Sequence, residues 1–226
     1  MRALRPVGRI FRPVRECFVE FTTILQAAEA EFEEKKSRFI GRAYPVESED
    51  EARARIEEAK RRYWDATHNV FAYRIGWRPE VQRFSDDGEP GGTAGKPIMD
   101  VLTGRGLTNV LCVVTRYFGG ILLGAGGLVR AYSKSAAEAV AKAGVVSYLP
   151  GTVLDIPMDY SRYGALEGFI RANAEVRNVA FAQNVVVTVA VEDTNLLKFM
   201  KEVTERSDGR CTPVTIGTGY MKKEEI

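Results

Sequence analysis

Five glycines lie between Gly119 and Gly127, after an apolar run and before a helix-like segment. The run Val110-Leu111-Cys112-Val113-Val114 reads as a strand buried on both faces, because no polar side chain interrupts it. Leu128 to Ala143 reads as a helix that buries Leu128, Tyr132, Ser135, Ala136, Ala139 and Val140. That face is mostly small, so the helix should sit close to the sheet. Between them runs Thr115-Arg116-Tyr117-Phe118-Gly119-Gly120-Ile121-Leu122-Leu123-Gly124-Ala125-Gly126-Gly127. Glycine packs nothing and is entropically costly, so this density demands a backbone that turns tightly or lies against something. A strand, a Gly-rich loop and a helix N-terminus can hold an anion. A tight connection over a crowded sheet has the same pattern.

The chain has 226 residues, room for one large or two small domains. No apolar run approaches the ~20 residues that span a bilayer. The Arg-rich start lacks the apolar segment of a secretory signal. Cys17, Cys112 and Cys211 are odd in number and far apart, which fits a reduced, cytoplasmic setting and supports neither a disulfide framework nor a zinc site. The formal charge of +2 is unevenly spread, since residues 1–16 hold five arginines against Glu16. A basic footprint for nucleic acid must therefore be local to the folded body.

Residues 1–16 read as a basic, unstructured tail. Strands are expected at Cys17–Leu25, Phe39–Tyr44, His68–Ile75 and Val81–Phe84. Ser48 followed by Glu51 is a capping box opening a helix to about Tyr63. Ser85 to Pro97 is a long loop of Gly, Pro and acidic residues, and Pro97 suits the first position of a short helix that stops at Gly104 and Gly106. A strand at Asn109–Tyr117 precedes the Gly-rich loop, and another spans Gly144–Leu149. Pro150-Gly151 is taken as the boundary between a domain over 17–149 and one over 150–222. The second reads as βαββαβ, with strands Thr152–Met158, Arg177–Phe181, Val185–Val191 and Pro213–Tyr220. Its helices are Tyr160–Ala172 and Thr194–Arg206, the latter capped by Asp193 or Thr194. This is a ferredoxin-like sandwich, and the whole is α+β.

Hydrolytic triads have only His68 to draw on, and a structural histidine is the commoner reading. Gly91 to Lys96 falls short of a nucleotide-binding P-loop: three residues separate Gly91 from Gly95, and Pro97 follows Lys96. Gly124-Ala125-Gly126 starts a dinucleotide fingerprint that Val129 ends. Asp86, Asp87 and Glu89 suit Mg²⁺ as hard oxygen donors, yet Asp bonding to local amides before Gly88 explains them more simply. If the acidic and Gly-rich loops share a sheet edge, they form a mixed-charge surface. It would comprise Asp86, Asp87, Glu89, Lys96, Arg116, Tyr117, Arg130 and His68, with Gly119, Gly120, Gly124, Gly126 and Gly127 shaping it. Arg116 is expected to be exposed there. Basic groups beside aromatics suit RNA, and also a protein hot spot.

Phe84-Ser85-Asp86-Asp87-Gly88-Glu89-Pro90, Thr93-Ala94-Gly95-Lys96-Pro97 and the stretch Thr115 to Tyr132 resemble the YigZ/IMPACT family, as do Lys35 to Ile40 and His68. The resemblance covers about residues 18–222. It implies an N-terminal domain with the fold shared by a ribosomal-protein domain and the GHMP kinases, and a C-terminal domain like the ferredoxin-like modules of elongation factor G. Eukaryotic relatives are translation regulators that compete for the activator of a starvation-responsive kinase. The resemblance transfers no catalytic residue, metal or cofactor. The expectation is a non-enzymatic protein binding RNA, the ribosome or a translation factor. A phosphate- or nucleotide-binding enzyme and a protein-interaction module are the alternatives.

Overall fold

In the computed structural model, residues 19–76 and 81–223 are described. The basic tail over 1–16, together with Cys17 and Phe18 of the expected first strand, lies outside them.

The chain divides into two compact units, which meet between Ser147 and Tyr148. The first contains β1 (Phe21–Ile24), β2 (Ala28–Glu34), β3 (Ser37–Pro45), α1 (Glu49–Arg62), β4 (His68–Ile75), β5 (Val81–Ser85), α2 (Gly95–Gly104), β6 (Val110–Tyr117) and α3 (Ala125–Ala143). Its main sheet has the order β2-β3-β6-β4-β5, with antiparallel neighbours throughout. β6 is central, and Val110 to Val114 are fully buried. Strand alternation then divides its side chains. Val110, Cys112 and Val114 join a core with α2 and α3, whereas Leu111 and Val113 pack with Ala52, Ile56 and Ala59 of α1. Burial pushes the Cys112 thiol up to about 12.

Helix α1 starts as the capping box predicts: Ser48 Oγ accepts from the Glu51 amide at 3.2 Å. α3 buries the small face expected of it, with Ala131 and Ala143 added. It lies so close to β3 that a Cβ on Gly41 would stand 2.5 Å from the Ser135 carbonyl oxygen. α3 begins at Ala125, so Gly126 and Gly127 belong to the helix rather than to the loop. Leu123 presses on Gly127, leaving 2.9 Å for any Cβ there. α2 likewise starts two residues before Pro97.

In the second unit, β7 (Val145–Met158) is followed by α4 (Tyr160–Asn173), β8 (Glu175–Phe181), β9 (Val185–Glu192), α5 (Leu196–Arg206) and β10 (Val214–Lys222). The antiparallel order β10-β7-β9-β8 is that of a ferredoxin-like sandwich. Leu154, Ile156, Leu166, Ile170, Val187 and Val203 centre its core. β7 runs straight through Pro150-Gly151, because its ladder with β9 begins only at Gly151 and proline's φ suits a strand. α5 is preceded by Asn195, not capped by Asp193, whose carboxylate accepts from Thr152 Oγ1 at 2.7 Å.

Candidate functional site

The acidic and Gly-rich loops do converge, at the end of the sheet where β6 stops and β3 and β4 begin. Register places His68 and Phe39 on either side of Arg116. Arg116 shares the sheet face of Cys112 and Val114, so its side chain points under the acidic loop rather than into water. It is 5% exposed, which corrects the expectation of an open strand end. The Arg116 guanidinium donates to Glu89 Oε1 at 2.7 Å and to Ser37 Oγ at 3.3 Å. It also faces the Phe39 and Phe118 rings, at 5.4 and 5.5 Å. Tyr132, fully buried on α3, donates its hydroxyl to the same Glu89 oxygen at 2.7 Å. Burial, reinforced by that bond, drives the Tyr132 phenol far above its ordinary range, so it stays a donor. A carbonyl can only accept, so His68 Nδ1 carries a proton and donates to the Asp87 carbonyl at 2.7 Å. Its Nε2 faces Glu89 Oε1 at 3.8 Å.

The other acidic side chains hold the loop together. Asp86 accepts from the amides of Gly92, Ala94 and Gly95 at 2.8, 3.1 and 2.8 Å. Asp87 adopts φ 45° and accepts from the Asn69 amide at 2.6 Å. Both carboxylates thus bond backbone amides, but beyond Gly88 and across to β4 rather than in the local turn expected before Gly88. Among the described residues, no three His, Cys, Asp or Glu side chains group to hold a metal ion.

The remaining sequence-predicted residues lie around this knot. Tyr117, on the opposite sheet face, donates to Asp65 at 2.8 Å, and burial with that bond raises its phenol. Gly119 is packed against the Lys36 carbonyl, onto which a Cβ would fall, and its amide donates to Ser37 Oγ at 3.2 Å. Gly120 and Gly124 take positive φ, 82° and 74°, with open space beside them. Lys96 is exposed on α2 and paired with Asp100 at 3.2 Å, so it does not join the cluster. Arg130 is exposed on α3, its guanidinium folded back to within 3.7 Å of where a Gly126 Cβ would be.

Arg130 borders an open groove of about 250 Å³ with Phe32, Lys35, Leu123, Gly127 and Lys134 among its walls. Lys134 Nζ sits 4.2 Å from the Phe32 ring centroid and 3.9 Å from Glu138. Lys35 and Arg130 have no carboxylate partner among the described residues. Sequence reasoning missed Lys35, Phe32 and Lys134, because the β2–β3 turn that brings them together lacks the usual Asn or Gly. Lys35 and Lys36 take φ 45° and 64° themselves. The Gly-rich loop also leaves Leu122 81% exposed, with Phe118, Ile121 and Val129 partly so. Arg116 is thus a buried strut, whereas Arg130 and Lys35 are exposed.

Known proteins share this arrangement of sequence. The Impact N-terminal domain matches residues 35–140, and a domain of unknown function (DUF1949) matches 156–210. The chain is 40% identical to the IMPACT family member YvyE of Bacillus subtilis, over 90% of this chain and 94% of that one. It is 33% identical to YigZ of Escherichia coli, over 77% and 87%. Protein IMPACT of Rattus norvegicus is 35% identical but matches only 40% of this chain and 30% of its own. A crystal structure described only as that of a hypothetical protein aligns with a TM-score of 0.56 at 30% identity, covering 87% of this chain and 97% of that one.

Proposed function

This chain belongs to the IMPACT family, and on that premise we propose that it is a binding protein of translation regulation that associates with RNA or the ribosome. One observation carries the reading: Lys35, Arg130 and Lys134 line one open groove beside the Phe32 ring, against the single carboxylate of Glu34. Lys35 and Arg130, which have no carboxylate partner among the described residues, can neutralise phosphates. The buried cluster around Glu89 favours binding over catalysis. Glu89 is 3% exposed and already accepts from Arg116 and Tyr132, so it is not placed to take a proton from a substrate.

The test is co-sedimentation with ribosomes at low salt. The Lys35→Ala/Arg130→Ala double variant removes two exposed charges and should keep its fold, as checked by circular dichroism. It should lose most of the association, and wild-type binding should fall steeply as salt rises. A folded double variant that pellets like the wild type overturns the groove as the site. The exposed Leu122, Ile121 and Phe118 favour a second reading, a protein-interaction module. Association that survives complete RNase digestion would select it.

A further inference from the structure

We propose that Trp64 is a stacking platform for single-stranded RNA, an inference that rests on the RNA-binding reading and specifies the form of RNA. Trp64 is 83% exposed, whereas tryptophan is usually among the well-buried residues. Packing does not explain its position.

The loop that carries it is fixed from several directions. The Thr67 amide donates to the Arg116 carbonyl at 2.9 Å, and the Ala66 amide to the Tyr63 carbonyl at 3.1 Å. Thr67 Oγ1 accepts from the Phe118 amide at 3.0 Å, and Asp65 Oδ1 accepts from the Tyr117 hydroxyl at 2.8 Å. Asn69 Nδ2 donates to the Tyr63 carbonyl at 3.3 Å. A backbone held in this way presents the indole with little ordering left to be done on binding.

Its neighbours are cations and rings. α1 ends in Lys60, Arg61 and Arg62 immediately before the loop. Arg61 and Arg62 are exposed, and neither has a carboxylate partner among the described residues. Arg62 lies 5.1 Å from the Tyr63 ring. Arg42, on the same ring, is 2% exposed, and Arg38, near the Tyr117 ring, is held by Glu31 at 2.6 Å, so Arg61 and Arg62 are the cations offered here. Exposed guanidinium groups beside an aromatic ring are the chemistry that takes phosphates and bases from a single strand. A duplex keeps its bases stacked on one another, so a lone protruding ring can stack only on a splayed base. A protein hot spot would place the indole inside a dry apolar patch. Here Arg61, Arg62 and Asp65 surround it in sequence, all exposed.

The full chain has two tryptophans, so Trp77→Phe makes Trp64 the sole indole reporter. In that background, a fluorescein-labelled 20-nucleotide oligouridylate and a 20-base-pair RNA duplex are titrated at low salt. Binding is read by anisotropy, and Trp64 emission is read with the unlabelled RNAs. The oligouridylate should quench the Trp64 emission at saturation. Trp64→Ala should weaken oligouridylate binding about tenfold, the loss of one stacked base, and leave duplex binding unchanged. Trp64→Phe should recover most of that loss. Oligouridylate binding with unchanged Trp64 emission, or equal binding by the Trp64→Ala variant, overturns the platform and leaves the groove reading standing. Equal weakening of single strand and duplex also overturns it. If neither RNA binds the parent chain, the platform falls together with the RNA-binding reading.

Discussion

At the scale of single residues, the decisive contacts are those of Glu89. It accepts from Arg116 and Tyr132 with almost no exposure, so it offsets a buried charge and a buried hydroxyl together. Removing one partner of a buried ion pair leaves the other charge uncompensated and costs roughly 3–5 kcal/mol. Glu89→Ala should therefore lower unfolding stability by about that amount in a urea titration. A Glu89→Leu/Arg116→Met double variant should regain much of it, because neither charge then stays behind. An unchanged urea midpoint for Glu89→Ala would show that Glu89 is not a strut. Much of the composition of this cluster was visible beforehand: Asp87 and Glu89 stand in the acidic loop, Arg116 just before the Gly-rich loop, and His68 at the start of β4. Its polarity was not. Whether Arg116 faces water or Glu89 depends on strand phase and on a loop returning from 27 residues upstream. Local sequence holds no record of either.

Elements were legible where periodicity and end signals agree. α1 has its capping box, β4 its apolar run and α3 its small face, and all three occur where expected, α3 beginning three residues early. The misreadings share a cause, which is that tertiary contacts overrode local punctuation. Gly126 and Gly127 join α3 because Leu123 packs on the first turn, and β7 passes through Pro150-Gly151 because its partner ladder starts beyond the proline. The close seating of α3 on β3 gives a test at this scale. A Cβ on Gly41 would lie 2.5 Å from the Ser135 carbonyl and 2.6 Å from its hydroxyl oxygen. Backbone cannot yield as a flexible side chain does, so Gly41→Ala should destabilise by about 1–3 kcal/mol through overpacking. Gly164→Ala, on the exposed side of α4 with nothing within 4 Å, should instead stabilise by about 0.5–1 kcal/mol through helix propensity. Thermal melts of the two variants should move in opposite directions. Equal shifts would mean that contact with α3 is not what selects glycine at position 41.

For the whole molecule, the relevant fact is that each unit is built around apolar clusters of its own. Val110, Cys112, Val114 and Tyr132 belong to one, and Leu154, Leu166, Val187 and Val203 to another. No helix among the described residues is long and apolar enough to cross a membrane. Stability should then divide by unit, even though β7 continues from residue 145 on one side of the boundary to residue 158 on the other. Leu166 is 1% exposed, so Leu166→Ala should cost about 2–5 kcal/mol through lost burial and the cavity left behind. Hydrogen exchange followed by mass spectrometry reads where that cost falls. Amides of β7 beyond Tyr148, of β9 and of α4 should exchange faster in the variant, while amides of β6 and α3 keep their wild-type protection. Equal acceleration in β6 would mean that the continuous strand couples both cores into a single cooperative unit. Protection unchanged in β6 would mean that the groove beside α3 can hold its shape while the second unit opens, so ligand binding there should survive Leu166→Ala.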